Sequence, residues 1–511
     1  MGKTAANNKR IAKNTLMLYI RMLISMMVGL FTSRVIINTL GEVDFGLNNV
    51  VGGIVVMFSF INTAMANATS RHLTFALGTD NDNLLKKTFS ACVTIHILIA
   101  VLILVLSETI GLWFFYHKMV IPTERLDAAF WVFQLSVLAS MLTIMNVPYM
   151  SSVISHEKMG AFAWLSISDV ILKLIIVYML WIIPYDKLIV YAILLFAVHL
   201  INWSIYHFYC VFNFTECHWK LFWDKTLYKE LTSFAGWTLI GNLAVVLYSQ
   251  GLNLLLNIFF GPSINAARAI SSRVQSLIVQ FSNSFQTALN PQITKTYAIK
   301  DLPYMHSLIF ASSKYSCFLL FFLSLPILIE SRQILSLWLG LVPEYTVSFL
   351  RITLLSSIID SISNPIIISA QATGKIKIYQ IVVGGIQLLI VPIAYIFLKL
   401  DCNPTSVYIV QLIIVITAHV ARLLMIRPMI SLSLKEYIKK VLLRIIPVCV
   451  FAFAITYITY INIHEIWWRI IIISFISSIS ISIGIYFWGL NKLERRLVIF
   501  KTYKILKNIK K

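Results

Sequence analysis

The sequence predicts an all-α integral membrane protein with about 14 transmembrane helices, built as two pseudo-symmetric six-helix lobes plus a C-terminal helix pair. Three observations carry this expectation. Apolar stretches recur along nearly the whole chain, each near the roughly 20 residues that cover a hydrocarbon core at about 1.5 Å of rise per residue. Hydrophobic residues make up 59% of the 511 positions and charged residues only 12%, with a mean hydropathy of +0.83, whereas a soluble chain carries about a quarter charged residues. Two short sequence patterns also recur about 220 residues apart, as expected of an internal duplication.

The spans fall at roughly 14–40, 45–68, 88–112, 128–152, 161–183, 188–211, 232–257, 263–290, 305–329, 346–370, 378–398, 405–426, 445–462 and 470–489. Alternate connections then lie on opposite sides of the membrane. One side holds Lys3, Lys9, Arg10, Lys13, Arg71, Lys86, Lys87, Lys158, Lys220, Lys225, Lys229, Lys295, Lys300, Lys375, Lys377, Arg427, Lys435, Lys439, Lys440 and Arg444, with eight further cations in the tail from Lys492 to Lys511. The other side holds Lys118, Arg125, Lys187, Arg332, Lys399 and Arg469. The positive-inside rule makes the first side cytoplasmic and puts both termini there. The net charge of +21 is therefore a topology signal, and no nucleic-acid partner is expected. The polar, basic start reads as leading into an uncleaved first span. No Cys pair has C-x-x-C spacing, and no disulfide is expected.

The expected organisation is a first lobe over residues 1–211, a cytoplasmic linker over 212–231, a second lobe over 232–426, and an extra helix pair with a basic tail over 427–511. The linker mixes Trp219, Phe222, Trp223 and Tyr228 with Lys220, Lys225 and Lys229, the pattern of an interfacial helix. The tail reads equally as interfacial or as solvated. The duplication rests on two matches. Leu40-Gly41 joins spans one and two, as Phe260-Gly261 joins spans seven and eight. Pro148 closes span four and Pro365 closes span ten, each with a lysine (Lys158, Lys375) ten residues on. An even number of spans separates the copies, so both have one orientation, related by an axis along the membrane normal.

Ionisable residues inside spans are functional candidates, because each central charge costs about 2.5–3.5 kcal/mol on insertion scales. Here they are Arg21, Arg34, Arg268, Arg273, Lys314, Arg351, Asp169, Lys173 and Asp360; Glu108 and Arg422 lie near enough to helix ends to snorkel. Cations outnumber carboxylates, so most must line a wet cavity that suits an anionic cargo. Arg268, Gln275, Asn283 and Gln286 share one helical face of span eight. Asn48 and Asn62 do so in span two, Asn14, Arg21, Thr32 and Thr39 in span one, and Asn242 and Asn253 in span seven. Spans one, two, seven and eight are expected to wall the chamber. Such stripes also glue dry helices together, and for any single serine that reading stands ahead of cargo contact. Arg34 and Arg273 point off the stripes, with cargo contact and structural capping both open. Asp169 and Lys173 are spaced to pair on one helix. Ion coupling at Asp169, Lys173 or Asp360 is the sharper alternative. No phosphate loop, H-E-x-x-H or G-x-S-x-G is present, so no catalytic residue, metal or cofactor is expected.

The basic start leading into Asn14, the turn Leu40-Gly41 with Phe45-Gly46 after a span-one arginine, Ser70-Arg71 after span two, and Phe260-Gly261 before a span-eight arginine together mark a family resemblance. They resemble the Wzx-type polysaccharide flippases of the multidrug/oligosaccharidyl-lipid/polysaccharide exporter superfamily, over nearly the whole chain. The resemblance implies two six-helix lobes around a cationic cavity, alternating access, and an undecaprenyl-pyrophosphate-linked oligosaccharide carried to the periplasmic leaflet of the bacterial inner membrane. It also implies other polysaccharide-assembly membrane proteins as partners. Cargo-binding arginines of the related peptidoglycan-precursor flippases map by position to Arg21, Arg34 and Arg268, and the extra helix pair resembles their lipid-tail groove. The arginine those relatives carry inside span two has no match here, which argues for a different saccharide. The alternatives are a multidrug or cation antiporter of the same superfamily, or a membrane polysaccharide polymerase or ligase.

Overall fold

The computed structural model describes residues 2–56, 59–119, 121–464, 467–492 and 494–496. Among them there is no strand, and twelve helices are long and apolar enough to cross a membrane. The chain runs through α1 (Gly2–Val56), α2 (Ser59–Gly78), α3 (Asp82–Leu106, prolonged by Leu112–Lys118) and α4 (Leu126–Ser155). It continues through α5 (Met159–Ile182), α6 (Lys187–Asn213), α7 (Lys225–Phe260), α8 (Pro262–Ala298), α9 (Leu302–Ile329) and the short α10 (Ser331–Leu339). The last elements are α11 (Thr346–Ala372), α12 (Lys377–Lys399), α13 (Thr405–Ile430), α14 (Leu434–Asn462) and α15 (Arg469–Gly489). The described residues of each expected span lie on helix, apart from the last residue of the fifth and a single turn residue in the eleventh. The eighth misses the apolar criterion because its faces carry Asn, Ser, Gln and Arg.

Two compact units emerge. One comprises Met1–Leu243 with Thr294–Lys300, the other Ala244–Ile293 with Asp301–Lys511. In the first, α4 packs on α6 and α3, and α1 on α5. In the second, α11 packs on α13 and α9, while Leu252, Leu255 and Leu256 of α7 share a core with Ile390, Ala394 and Leu398 of α12. These are the same pairings shifted by one repeat. Lipid tails are as apolar as leucine, so close approach and dispersion must hold such helices together. Gly251 of α7 illustrates this: a Cβ there would sit 2.8 Å from Val391 of α12.

The duplication is also written in the backbone. Gly41 (φ 80°) and Gly261 (φ 79°) occupy the left-handed region, which only glycine enters without strain. Gly41 kinks α1, and Gly261 separates α7 from α8. Asp80 (φ 50°) and Lys300 (φ 59°) repeat the pattern, as do Glu157 (φ 57°) and Gly374 (φ 76°). Contrary to expectation, neither proline closes its helix. Ser155 and Ala372 each end a helix seven residues beyond Pro148 and Pro365, because the freed carbonyls can be satisfied by neighbouring groups inside a bundle. The interfacial helix expected over 212–231 does not form either. Residues 214–224 are irregular, and helix resumes only at Lys225 as the start of α7. Trp219 Nε1 instead donates to Thr94 Oγ1 (3.2 Å), and the Lys220 N–H to Ser90 Oγ (3.3 Å), folding the segment onto α3. All six cysteines are free thiols.

Candidate functional site

In the first unit, Arg21 lies on α1 with its guanidinium 4.8 Å from the centre of the Phe162 ring on α5. Its Nε is buried with no hydrogen-bond partner among the described residues. The rest of the span-one stripe is committed. Asn14 Nδ2 donates to the Glu157 carbonyl (3.1 Å), Thr32 to Gly29 O (3.2 Å) and Thr39 to Val35 O (2.8 Å). Asn62 Oδ1 and Asn242 Nδ2 are buried without partners among the described residues, and Asn48 is half-buried. The side chain of Arg34 lies outside the described residues. Lys173 Nζ stands 2.8 Å from Asp169 Oδ2, and Asn202 donates to the other oxygen at 3.3 Å. That carboxylate is fully occupied, as the i, i+4 spacing leads one to expect.

In the second unit, Arg268 on α8 is tethered. Its Nη2 donates to Ser249 O of α7 (2.9 Å) and its Nη1 to Tyr408 Oη of α13 (3.4 Å). Gln275 donates to Ser357 Oγ (2.7 Å). Gln286, nearly fully buried, donates to Ser316 Oγ (3.1 Å) and Ser361 O (3.0 Å) and accepts from Asn364 (2.6 Å). These two glutamines are helix-to-helix glue. Asn253, Asn283 and Arg273 are exposed. Arg351 Nε donates to Leu328 O (2.9 Å) and Nη2 to Ile329 O (3.2 Å), so it satisfies the orphan carbonyls at the end of α9. It also lines a groove of about 710 Å³ between α9, α11 and α14, with Phe321, Leu355, Phe453 and Tyr457.

Two cations have counter-charges that spacing alone did not reveal. Lys314, buried in α9, donates to both oxygens of Glu494 (2.8 and 3.1 Å). Burial pushes the Glu494 carboxyl up, but Lys314 and the Asn491 N–H outweigh it and hold it below its ordinary range. Arg422, expected to snorkel, is instead buried, with Nη1 3.6 Å from Asp360 Oδ1. A further pair carries no sequence signal: Arg469 clasps Glu330 through Nε (2.6 Å) and Nη2 (2.9 Å), with both side chains buried. The only sequence hint for Glu494 is that it is the sole acid in a basic tail.

The arrangement sorts the in-span charges. Asp169 and Asp360 each have a cation beside them, whereas Glu108 of α3 receives only Gln134 Nε2 (3.2 Å) and its other oxygen is buried without a partner among the described residues. Arg21, Arg268, Arg273 and Arg351 have no carboxylate within 4.0 Å among the described residues. Guanidiniums stay charged when buried and fork onto phosphate or carboxylate oxygens.

No family model matches the chain, and no curated protein matches it. Solved structures do. One described as MATE in the straight conformation has a TM-score of 0.71 at 14% identity, covering 83% of this chain and 96% of that one. One described as the outward-facing conformation of a multidrug resistance MATE family transporter of the MOP superfamily has a TM-score of 0.69 at 14% identity, covering 82% and 96%. A third, a MOP superfamily transporter from Pyrococcus furiosus described as having reversed polarity of its binding pocket, has a TM-score of 0.69 at 13% identity with the same coverage. The chain is thus similar to these transporters in fold over most of its length.

Proposed function

We propose that this chain is a membrane transporter that moves an anionic, lipid-linked oligosaccharide across the bilayer by alternating access. The observation that carries the reading is the charge inventory. Four in-span arginines lack a carboxylate partner among the described residues, while two of the three in-span carboxylates, Asp169 and Asp360, have a cation beside them and the third, Glu108, has only Gln134 (3.2 Å). Unpaired cations at membrane depth are expensive unless they meet water or an anion, and a pyrophosphate supplies that anion. Arg21 and Arg268 are the leading contacts, with Arg34, Arg273 and Arg351 secondary. The groove beside Arg351, walled by Phe321, Phe453 and Tyr457, suits the lipid part of such a cargo. Lys314, held by Glu494, is the weakest of the candidates. The expected setting is the bacterial inner membrane with both termini cytoplasmic, and Asp360 is the best placed group for ion coupling because half of its side chain is accessible.

A second reading is export of drugs by an antiporter, and the comparisons stand nearer to it than to the first, since one matched structure is described as a multidrug resistance transporter. The reversed pocket polarity described for the Pyrococcus furiosus protein is cited there as suggesting a different function, so one fold is associated with more than one pocket charge. The test is a strain lacking the protein, complemented with wild type or with Arg21→Gln/Arg268→Gln. Lost surface polysaccharide, unchanged drug susceptibility and normal membrane levels of the variant support the flippase. Intact polysaccharide with raised drug susceptibility in the deletion strain supports the antiporter. A sugar-transfer assay on purified protein, expected to be negative, addresses the polymerase or ligase alternative.

A further inference from the structure

Where α13 hands over to α14, on the side that carries the basic excess, the second unit holds a cavity of about 840 Å³. Its wall is amphipathic. Leu424 and Leu434 supply apolar surface, while Arg427, Ser431, Ser433 and Lys435 supply polar groups. The corner is rigidly built. Ser431 takes a left-handed conformation (φ 53°), which turns the chain so that the Leu432 N–H meets Arg427 O at 3.1 Å. The Ile430 carbonyl accepts from His306 of α9 at 2.9 Å. Ser433 Oγ accepts from the Glu436 N–H (3.3 Å) and so starts α14. Tyr437, fully buried, anchors the first turn from beneath.

The charge of this corner is uncompensated among the described residues. Glu436 is the acid nearest in sequence, and Lys440 holds it at 2.7 Å. Arg427 and Lys435 have no carboxylate within 4.0 Å among the described residues. Leu424 is 57% exposed on the adjoining face of α13, so an apolar track leads from the cationic rim along a helix that belongs in lipid. A volume near 840 Å³ falls in the range of small-molecule sites, and basic pockets beside transmembrane helices on this side recognise anionic headgroups.

The geometry points to a structural binding site for one anionic phospholipid, its phosphate held by Arg427 and Lys435 and an acyl chain laid along Leu424. The site stands apart from the cargo candidates, so it neither needs nor tests the transport reading. The experiment is native mass spectrometry of the full-length protein in neutral detergent, titrated with phosphatidylglycerol or phosphatidylcholine. Phosphatidylglycerol should bind about tenfold more tightly than phosphatidylcholine, and Arg427→Gln/Lys435→Gln should remove that preference. Lys439→Gln, on the same helix but outside the cavity wall, should leave it intact. Leu424→Trp keeps both cations and alters only a lipid-facing side chain, so it tests the acyl track even if the double variant fails to fold; it too should weaken phosphatidylglycerol binding. Equal binding of the two lipids, or an unchanged preference in both the double variant and Leu424→Trp, overturns the assignment. Displacement of the lipid by an equal concentration of inorganic phosphate would assign the corner to a free anion and likewise overturn it.

Discussion

The corner between α4 and α5 and the corner between α11 and α12 follow the same backbone path, and they differ in the residue that takes the left-handed position. Each follows an in-helix proline, and each places a left-handed residue nine positions after it: Glu157 in the first unit, Gly374 in the second. Glycine is at ease there, whereas a residue with a Cβ costs about 1–2 kcal/mol. Glu157 tolerates that conformation because its buried carboxylate is gripped by Arg10 (3.0 Å) and Lys295 (2.8 Å), and its carbonyl accepts from Asn14. The difference teaches that the duplication governs the path of the chain and leaves the chemistry of each copy free. In-span charges behave alike. Asp169 finds its partner on its own helix, whereas Asp360 and Lys314 find theirs on other elements.

The hardest blow to this contrast is Lys295→Met. It takes from the inaccessible Glu157 carboxylate the cation 2.8 Å away, while the Arg10 that also grips it is half exposed. Removing one partner of a buried pair costs about 3 kcal/mol or more, and thermal unfolding in detergent should record it. An unchanged midpoint would mean that the Lys295 pair contributes nothing and that Glu157 is not the organising charge. Next comes Glu157→Ala, which keeps the backbone strain, drops the carboxylate and leaves a lysine able to reach water; about 2 kcal/mol is expected. Glu157→Gly sharpens the comparison by giving the first corner the residue of the second. It should recover about 1 kcal/mol of the alanine loss, and equal midpoints for the two variants would show that φ carries no strain there. Gly374→Ala is the mirror experiment and should cost about 1 kcal/mol, since no ion pair compensates in that copy.

What the sequence made legible follows from the range of the physics. Bilayer thickness dictates span length, so the spans could be read from apolar runs, and twelve helices among the described residues are long and apolar enough to cross a membrane. Glycine's tolerance of positive φ made Gly41 and Gly261 readable as repeat-related turns. The i, i+4 spacing of Asp169 and Lys173 gave their pairing directly. Long-range neutralisation was not legible. Glu494 lies 180 residues from Lys314, and Glu330 lies 139 from Arg469, and hydropathy carries no signal of which distant charges meet. The proline positions misled for a related reason. Proline ends a helix when its freed carbonyl has no partner, and bundle interiors can provide one.

The smallest expected effect lies on the lysine-poor side of the first unit, where charge pairing meets water. Arg125 bridges Asp44 and Asp186, reaching Asp186 at 2.5 Å, and Asp186 also caps α6 by accepting from the Leu188 N–H (3.0 Å) and the Ile189 N–H (3.2 Å). Partial burial pushes the Asp186 carboxyl up, but Arg125 and those backbone donors outweigh it and hold it below its ordinary range. A carboxyl lowered by folding contributes stability that is present above its unfolded value, about 3.9, and lost as pH falls through the folded value. Asp186→Asn should therefore unfold at a lower temperature than wild type at neutral pH, by less than about 1 kcal/mol for so accessible a pair. The two midpoints should converge only below about pH 4. Convergence already near neutral pH would show that Asp186 is not the group that Arg125 serves. The contrast with Glu157 would then widen: a charge sealed from water organises its corner, while one left in water merely decorates it.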